Sequence, residues 1–499
     1  MRASVIATVA AVLIGACTAG GKVIYVDDDA NSPGDGASWA TAYKYLQDAL
    51  ADANSSPKPV EIRVAQGLYR PDRSAAEPNG TGDRLASFGL VSGVALVGGH
   101  AGLGAADPNA RNLRLHEAIL SGDLGGNDVP GTVSPDRMIE NAHTVVSCIG
   151  CDATTLIEGV VVTGASAEGA LRYARGLYLG PSDARIRHSS FVNNCGTGAV
   201  VTYGAPRFDF CLFVGNVNRF SESRNDGAGL ASLGASPIVT NCVFAGNWAT
   251  GEYGSGAGFW QGQVGVIVDG PRLVNCTFAG NRAVRGRAVA TGGRDRSGIS
   301  IHVLNSILWD GGEEVFNGDH SLITIAYCAL DGGESGIANG YGEMIFGAGN
   351  IASDPCFVNP GYWNTNGTPD DPNDDFWVHG DYHLMSQAGR WVVAEGPWVI
   401  DNVTSPCIDA GDLLSPIGLE PFPNGGRVNI GAYGGTGEAS KSWFGGPNCA
   451  TIMAGDINGD CRVGFLDLAI LASHWLGEDE SLGVQEDGSP TPLDRWRQE

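Results

Sequence analysis

The stretch Val239-Thr240-Asn241-Cys242-Val243-Phe244 decides the fold, because the chain repeats its pattern six times. The pattern is an apolar residue, two others, Cys or Ser, any residue, then Phe or Leu. It occurs at 186–191, 208–213, 239–244, 273–278, 303–308 and 325–330, and the last residues lie 22, 31, 34, 30 and 22 positions apart. A fixed motif at a loose period of this size predicts a solenoid, in which each unit buries its apolar face by stacking on its neighbours.

The spacing inside the motif predicts a strand followed by a sharp corner. Cys242 and Phe244 are two apart, so they lie on one face of a strand. The earlier apolar residue, three positions before the Cys, would face the other way without a bend between them. Asn tolerates the left-handed backbone of such a bend, which predicts a hydrogen-bonded Asn ladder along this corner. The bend position carries Asn241, Asn275 and Asn305, and it is interrupted by His188, Phe210 and Tyr327.

A second corner follows three residues after the aromatic, at Asn194, Asn216, Asn247 and Asn281. Strand, corner, short strand and corner in a unit of about twenty-two residues predict a right-handed parallel β-helix, an all-β solenoid. The register extends upstream to Leu156, Gly159, Val161 and Gly164, thirty residues before Phe191. The longer spacings predict loops inserted into a minimal coil, around 221–226 and 282–294.

Composition agrees with a turn-rich, exported protein. The 499 residues include Gly 75, and 30 basic against 55 acidic residues give a net charge of −25. Such a surface repels nucleic acid and anionic membranes, so no nucleic-acid partner is expected. The interpretation is a secreted or cell-surface protein in a cation-rich setting.

The first twenty residues predict an export signal. An apolar run from Val5 to Ala16 is too short to span a bilayer and ends in small residues. Ile14-Gly15-Ala16-Cys17 resembles a bacterial lipobox, which implies lipidation of Cys17 as the one contact with a membrane. The alternative is ordinary cleavage after Ala19, which leaves no anchor.

The chain has twelve cysteines, and the repeat predicts that four of them are small buried residues of the core. They share one inward position with Ser189 and Ser306, and a Cys that exchanges with Ser acts as a small buried residue. Cys148 and Cys151 could form a local bridge. The four core positions are Cys211, Cys242, Cys276 and Cys328.

Upstream of the repeats, the sequence predicts strands and a capping helix. Strands are expected at 23–26, 60–64, 94–97 and 118–120, so the coils begin before Arg70. Residues 39–54 carry a helical apolar stripe with Ser38 or Thr41 as N-cap, and this helix would cover the open end of the solenoid.

After Leu330 the pattern decays. Four aspartates cluster in one loop at 370, 371, 374 and 375, where a solvated acidic loop is favoured over a Ca²⁺ site. Segments 405–411 and 429–434 resemble the closing segments of surface-anchored bacterial β-helix proteins. They are interpreted as final coils and a C-terminal cap, which gives a β-helix domain over 22–445.

The sharpest chemical motif lies at 456–467. Oxygen side chains at loop positions one, three, five and twelve, with a main-chain carbonyl at position seven, are what Ca²⁺ requires. The predicted side-chain ligands are Asp456, Asn458, Asp460 and Asp467, and Arg462 gives the carbonyl. Apolar residues then follow at helical spacing, so the loop should lead into a helix that ends near Leu476.

This loop resembles the type I dockerin repeat, whose members bind calcium and dock onto a cohesin partner. The resemblance covers the module 446–477 and implies a cohesin-like partner. It departs from the pattern at Cys461 and Gly464, and no second loop follows. A Cys449–Cys461 disulfide would support so small a module. The polar, acidic segment 478–499 is expected to be a disordered tail.

The coils resemble the pectin-lyase-like β-helix superfamily, and more closely secreted β-helix proteins of Planctomycete type. The superfamily includes pectate lyases, polygalacturonases and adhesins, so the resemblance implies contact with polysaccharide without establishing catalysis. The compact charged cluster in the coils is Asp183, Arg185, Arg187 and His188. Asp209 occupies the position of Arg187 one coil later, so a structural ion pair is favoured there over a catalytic base.

Two hypotheses on function remain, and the leaning is against an enzyme. One is a non-catalytic scaffold that contacts polysaccharide or cell-envelope components and attaches through its calcium module. The other is a polysaccharide lyase or glycoside hydrolase acting on an extracellular acidic polysaccharide. Aromatics and carboxylates that line one groove at matching heights of the coils would favour the enzyme. Faces covered by inserted loops would favour the scaffold.

Overall fold

A computed structural model of the chain describes residues 21–31, 34–129, 131–133, 135–166, 174–219, 227–251, 254–263, 270–293, 298–392 and 398–443, with 464, 465, 468 and 471. In these residues each coil passes in turn through three parallel sheets, called sheets 1, 2 and 3. Parallel crossover connections are right-handed. The repeat therefore builds the predicted right-handed parallel β-helix.

Within the described residues, the three sheets contain the following strands, in order from the first coil to the last. Sheet 1 has eleven: Lys22–Val26, Val60–Ala65, Val94–His100, Leu156–Glu158, Arg185–Arg187, Arg207–Asp209, Ile238–Thr240, Arg272–Val274, Ser300–Leu304, Leu322–Ala326 and Glu343–Phe346. Sheet 2 has nine: Gly67–Tyr69, Ala118–Ser121, Val160–Thr163, Ser190–Val192, Leu212–Val214, Val243–Ala245, Thr277–Ala279, Ile307–Trp309 and Ala329–Leu330. Sheet 3 has nine: Phe88–Leu90, Thr144–Cys148, Arg175–Leu179, Thr197–Thr202, Leu230–Leu233, Phe259–Gln263, Val289–Gly293, Val315–Asn317 and Ile337–Asn339.

Smaller elements lie outside the three sheets. A short parallel pair joins Val217–Asn218 to Trp248–Ala249. Two antiparallel pairs follow the coils, Phe357–Asn359 with Asp381–Leu384 and Tyr362–Asn364 with Phe376–Val378. The helices of the described residues are the α-helix Leu46–Ser55 and the 3₁₀ helices Trp39–Thr41, Pro135–Arg137 and Gly333–Gly336.

The aromatic residues that end the motif form a column inside sheet 2. Rings of successive coils stack with centroids 5.1, 4.6 and 4.7 Å apart, and each ring is fully buried. Strand pairing extends the column to two leucines, so the motif positions are aligned despite their unequal spacings. Of the two predicted insertions, 221–226 lies outside the described residues, and 282–294 was only partly right, since it contains the sheet 3 strand Val289–Gly293. The column consists of Phe191, Phe213, Phe244, Phe278, Leu308 and Leu330.

The inward cysteines are buried and unbridged, as predicted, but they also make hydrogen bonds. The Sγ of Cys242 accepts the main-chain N–H of Cys211 at 3.3 Å, and Ser306 Oγ accepts that of Cys276 at 3.0 Å. Cys and Ser exchange at this position because each can accept a main-chain N–H from the preceding coil. Cys148 and Cys151 form the expected local disulfide.

The first corner has the predicted left-handed backbone in all six repeats. Positive φ values of 45–56° occur at His188, Phe210, Asn241, Asn275, Asn305 and Tyr327. The ladder predicted at this corner was wrong, since the amide Nδ2 of Asn241 donates to the carbonyl oxygens of Ala432 and Gly434. These asparagines point outward and hold the C-terminal segment, because the inward side of the corner is already filled.

A hydrogen-bonded Asn ladder runs instead along the second corner. Each Nδ2 donates at 2.9 Å to the Oδ1 of the next coil, from Asn194 to Asn216, Asn247 and Asn281, and the last donates to Asp310. The four asparagines are almost fully buried. In a buried corner no water is available, so each amide depends on the next coil for an acceptor and on the preceding coil for a donor.

The upstream register differs from the prediction by one residue. Strand pairing sets Ile157 beside Ile186 and Val162 beside Phe191, which is 29 positions rather than thirty. Gly159, with φ 69°, takes the bend position, so the inward residues lie around it. Leu156 and Val161 consequently face outward.

The N-terminal helix is confirmed, with a later start and without the predicted caps. It begins at Leu46 after Tyr45, which makes no capping bond through its side chain. The buried stripe Leu46, Ala49, Leu50 and Ala53 packs against the first strands of sheets 1 and 3. The helix thus covers the first coil, as expected.

The C-terminal segments do not form the closing coils that the sequence predicted. After the strand Glu343–Phe346, residues 357–392 and 398–433 fold back along the outside of the solenoid. The outer face of sheet 2 is apolar, and Ile408, Ile430 and Tyr433 pack on it with Phe357 and Leu384. That face needs a cover, and the C-terminal segments supply it.

No helix among the described residues is long and apolar enough to cross a membrane.

Candidate functional site

The predicted calcium ligands Asp456, Asn458, Asp460, Arg462 and Asp467 lie outside the described residues, as do Cys17, Cys449 and Cys461. Nearby, Phe465, Leu468 and Leu471 are helical, and the N–H of Leu468 donates to the carbonyl of Gly464 at 3.3 Å. This turn agrees with the helix expected after the loop. The ligand set itself remains a prediction.

The charged cluster around Arg187 lies on the outer face of sheet 1, and its central groups are buried. Arg187 is aligned with Asp209 of the next coil, as the register predicted. Burial raises the pKa of Asp209, and the charges of Arg207 and Arg187 partly offset this by lowering it. Burial also lowers the pKa of His188 to about 4, and its ring stacks on Phe210 at 4.9 Å. A buried, neutral His188 is not placed to act on a ligand in solvent.

The four clustered aspartates differ in exposure and in hydrogen bonding. Asp370 and Asp371 are exposed, while both carboxylate oxygens of Asp374 accept from the hydroxyl of Thr368. Asp375 is buried and forms an ion pair of 2.8 Å with Arg282. The solvated loop was therefore the better interpretation for most of the cluster, and Asp375 belongs to a different site.

That site is a surface cavity of about 520 Å³ beside the second corner. Its walls include Trp248 and Arg282, which each follow a ladder asparagine and pair as neighbours in adjacent coils. Trp363 closes the cavity from the antiparallel pair formed by Tyr362–Asn364 and Phe376–Val378. Two coils and the C-terminal segment thus meet at one place.

Arg282 lies between the two tryptophans. Its guanidinium carbon is 4.3 Å from the ring centroid of Trp363 and 5.5 Å from that of Trp248. The rings stand edge to face, 5.8 Å apart, and Trp363 Nε1 donates to the carbonyl of Gly280 at 2.7 Å. The ion pair with Asp375 holds the guanidinium in place. Two half-exposed aromatic rings beside a fixed cation form a surface that suits a sugar ring bearing a negative group.

Glycines at the second corner make room for the C-terminal tryptophans. Gly246 and Gly280 have φ of 58° and 65°, and a Cβ at either would lie 2.0 Å from the ring of Trp377. Trp377 in turn packs against Trp363, with ring centroids 5.6 Å apart. The corner therefore needs glycine both for its backbone and for the close approach of Trp377.

A carboxyl pair closes the ladder beneath the cavity. Asp310 Oδ1 accepts from Asn281, and Glu314 Oε1 accepts the main-chain N–H of Asp310 at 2.9 Å. The other oxygens, Asp310 Oδ2 and Glu314 Oε2, are buried without a hydrogen-bond partner. Burial raises the pKa of Glu314 to about 7, and burial together with the charge of Glu314 raises that of Asp310 well above its usual range. Burial thus favours the protonated form of each carboxyl group in this pair.

The loop from Arg282 to Arg287 makes this region locally basic. Its arginines are Arg282, Arg285 and Arg287, on a chain whose net charge is −25. Arg287 Nη1 donates to the carbonyls of Asp310 and Gly311, at 3.0 and 2.6 Å. Arg282 and Arg287 both line the cavity, and Asp375 balances the charge of Arg282, so Arg287 supplies the excess positive charge there within an acidic protein.

Sequence reasoning located the corner but not the cavity. The residue directly after the ladder asparagine was the available signal, since Trp248 and Arg282 both occupy that position. No spacing could supply Trp363, because the segment that carries it returns from beyond the last coil. The carboxyl pair was also missed, because the second corner was recognised by its asparagines and Asp310 stands at the position that would continue their series.

Comparisons with known proteins give only distant structural likenesses. No family model matches the chain, and no curated protein matches it. Solved structures similar to it include a pectate lyase (12% identity, 82% of this chain and 96% of that chain, TM-score 0.35). A rhamnogalacturonan lyase is 11% identical, with 74% of this chain and 97% of that chain covered and a TM-score of 0.41. A glycoside hydrolase is 11% identical, with 66% of this chain and 96% of that chain covered and a TM-score of 0.31. At these scores the likeness carries nothing about activity or substrate.

Proposed function

We propose that this protein is an extracellular β-helix scaffold that binds an acidic polysaccharide at the Trp248–Arg282–Trp363 cavity. The observation that carries the proposal is the position of Arg282, 4.3 Å from the ring centroid of Trp363 and bound to Asp375. Aromatic rings take the apolar faces of sugars, and a fixed guanidinium takes a carboxylate. The net charge of −25 repels polyanions in general, so binding of an acidic polysaccharide depends on this local positive charge.

The carboxyl groups favour binding over cleavage. Asp310 is the one carboxyl residue among the described residues that line the cavity. Glu314 is fully buried, and the side chain of Asp375 is 6% exposed and bound to Arg282. A glycosidase needs two carboxyl groups that reach the same bond, and this wall offers one.

A second candidate function is hydrolysis or lyase chemistry with Asp310 as proton donor. The raised pKa of Asp310 favours it, because a protonated carboxyl group beside a sugar-binding wall is what acid catalysis requires. Incubation with polygalacturonate and with neutral glucan, followed by assays of reducing ends and unsaturated product, separates the two functions. Turnover that disappears in Asp310→Asn would replace the scaffold proposal.

Binding is tested with the full chain and polygalacturonate by isothermal titration calorimetry. We expect Arg282→Gln to weaken binding by about tenfold, the value of one charge-assisted contact. Trp363→Ala should weaken it similarly, while Arg272→Gln, an exposed arginine on sheet 1, serves as the matched control. Equal affinity in Arg282→Gln and Arg272→Gln would reject the cavity as the binding site.

Attachment through the module at 446–477 is part of the same proposal. The predicted ligands are Asp456, Asn458, Asp460 and Asp467 with the carbonyl of Arg462, and a cohesin-like protein remains the predicted partner. The local Cys148–Cys151 disulfide supports export to an oxidising compartment. Asp456→Ala with Asp460→Ala should remove one bound Ca²⁺ per chain in equilibrium dialysis. An unchanged number of bound Ca²⁺ ions per chain would show that this loop is not a calcium site.

A further inference from the structure

A second cluster of carboxylates lies far from the cavity in sequence, in the loop between the strands Ala118–Ser121 and Thr144–Cys148. One oxygen each of Asp123, Asp128 and Glu140 lie within 4.8 Å of one another. Ca²⁺ binds oxygens at about 2.3–2.6 Å, so ligands of one ion can be up to about 5 Å apart. The spacing is therefore compatible with one ion.

Asn141 supplies the observation that distinguishes this cluster from a plain acidic loop. It is fully buried, and its Oδ1 has no hydrogen-bond partner. Its Nδ2 donates to Asp128 Oδ2 and to the carbonyl of Gly164, both at 2.8 Å, and these two acceptors fix the orientation of the amide. The unpartnered oxygen thus belongs to an amide group held directly against the carboxylate of Asp128. A buried carbonyl oxygen without a donor is costly unless something else binds it.

Two of the carboxylates are unpartnered in the same way. Asp128 Oδ1 and Glu140 Oε1 are both buried atoms without a hydrogen-bond partner. Glu140 Oε1 lies over Gly125, where a Cβ would be 2.9 Å from it, so the carboxylate is folded onto the loop. Two carboxylate oxygens of the loop are therefore available to a cation.

We infer that Asp123, Asp128, Glu140 and Asn141 form a Ca²⁺ site at the N-terminal end of the second corner. Three carboxylates and one amide oxygen are a hard ligand set, which suits Ca²⁺ rather than a softer metal. Asp123 also accepts the main-chain N–H groups of Gly126 and Asn127, at 2.7 and 3.2 Å, so the loop is already wrapped around its first ligand. Arg70 is the neighbouring cation, and its Nε donates to the main-chain carbonyl of Asp123 rather than to the carboxylate.

The ion would fasten a long loop to the solenoid. Asn141 links the site to Gly164, and the next residue of that corner, Ala165, donates its N–H to Asn194, the first amide of the ladder. A bound ion would therefore stabilise the start of the ladder. The cluster Asp27–Asp29 is a useful contrast, since none of its carboxylate oxygens is a buried atom without a hydrogen-bond partner.

The test uses the full chain with Asp456→Ala and Asp460→Ala, so that the predicted C-terminal loop does not contribute. We expect this background protein to bind one Ca²⁺ in isothermal titration calorimetry. Adding Glu140→Gln, which keeps the shape and removes the charge, should weaken binding at least tenfold. Asp29→Asn, an exposed member of the contrasting cluster, should leave the affinity within twofold.

A second readout needs no further variant. Ca²⁺ should slow hydrogen exchange of the amides in residues 122–129 of the background protein, because the ion orders the loop that carries two of its ligands. The inference is overturned if the background protein binds no Ca²⁺, if Glu140→Gln binds as tightly as the background, or if exchange in that segment does not change. None of these outcomes bears on the polysaccharide cavity.

Discussion

The side-chain amide of Asn281 donates to Oδ1 of Asp310 at 2.9 Å, so the ladder of four asparagines ends on a carboxyl group. An asparagine at that position would need a further acceptor for its own Nδ2. A carboxyl group accepts from Asn281 and ends the donor chain. The same exchange places a carboxyl group at the edge of the cavity, which links the stability of the solenoid to its candidate site.

The ladder should contribute strongly to stability. Asn247→Ala removes an amide that donates to the carbonyl of Phe213 and accepts from Asn216, so each of these buried groups loses a hydrogen bond. We expect the free energy of unfolding to fall by at least about 2 kcal/mol, measured by urea denaturation. Asn54→Ala, at an exposed position of the N-terminal helix, is the control and should change little. Equal effects of the two substitutions would contradict a cooperative ladder.

The contribution of two buried glutamates to the free energy of unfolding should fall as the pH rises from about 5 to 8. Burial raises the pKa of Glu314 to about 7 and that of Glu420 to about 8, from 4.5. Between the unfolded and folded values, the native state binds more protons than the unfolded state, so raising the pH favours unfolding. Each group contributes at most about 1.4 kcal/mol per pH unit. Glu420→Gln should flatten the slope in urea titrations, whereas Glu343→Gln, which is exposed, should not.

Gly280 should resist substitution for two separable reasons. Gly280→Ala adds a Cβ that would lie 2.0 Å from Trp377 and also strains a backbone at φ 65°. Gly82 has φ 68° but nothing within 4 Å of its Cβ position, so Gly82→Ala measures the strain alone. We expect Gly82→Ala to cost about 1–2 kcal/mol and Gly280→Ala to cost more. Only Gly280→Ala should alter tryptophan fluorescence, and an unchanged spectrum would show that Trp377 does not pack there.

The inward cysteines should not react with alkylating reagents in the native protein. Cys242, Cys276 and Cys328 are fully buried, and burial raises the pKa of the last two to about 12. Thiolate is the reactive form, so alkylation with iodoacetamide should label them only after unfolding. Cys356 is partly exposed and should be labelled in the native state. Peptide mass spectrometry identifies each site, and native labelling of Cys242 would place it outside the core.

The sequence alone determined the architecture. Residue spacing is local information, so the motif predicted the strands of sheets 1 and 2, both corners and the inward cysteines, whereas it gave no signal for the strands of sheet 3. The N-terminal helix followed from its apolar stripe in the same way. The error at Leu156 arose because a glycine corner gives no side chain by which to set the register.

Only the tertiary structure decided the candidate sites. The cavity unites Trp248 and Arg282 with Trp363, which lies 81 positions beyond Arg282 in the chain and returns over the outer face of sheet 2. The carboxylate cluster of Asp123, Asp128 and Glu140 likewise depends on how one long loop folds onto the corner. Repeats fix contacts between neighbouring coils because the same residues recur at the same depth. Contacts made by a segment that folds back have no such period, and they depend on which apolar face the finished solenoid leaves uncovered.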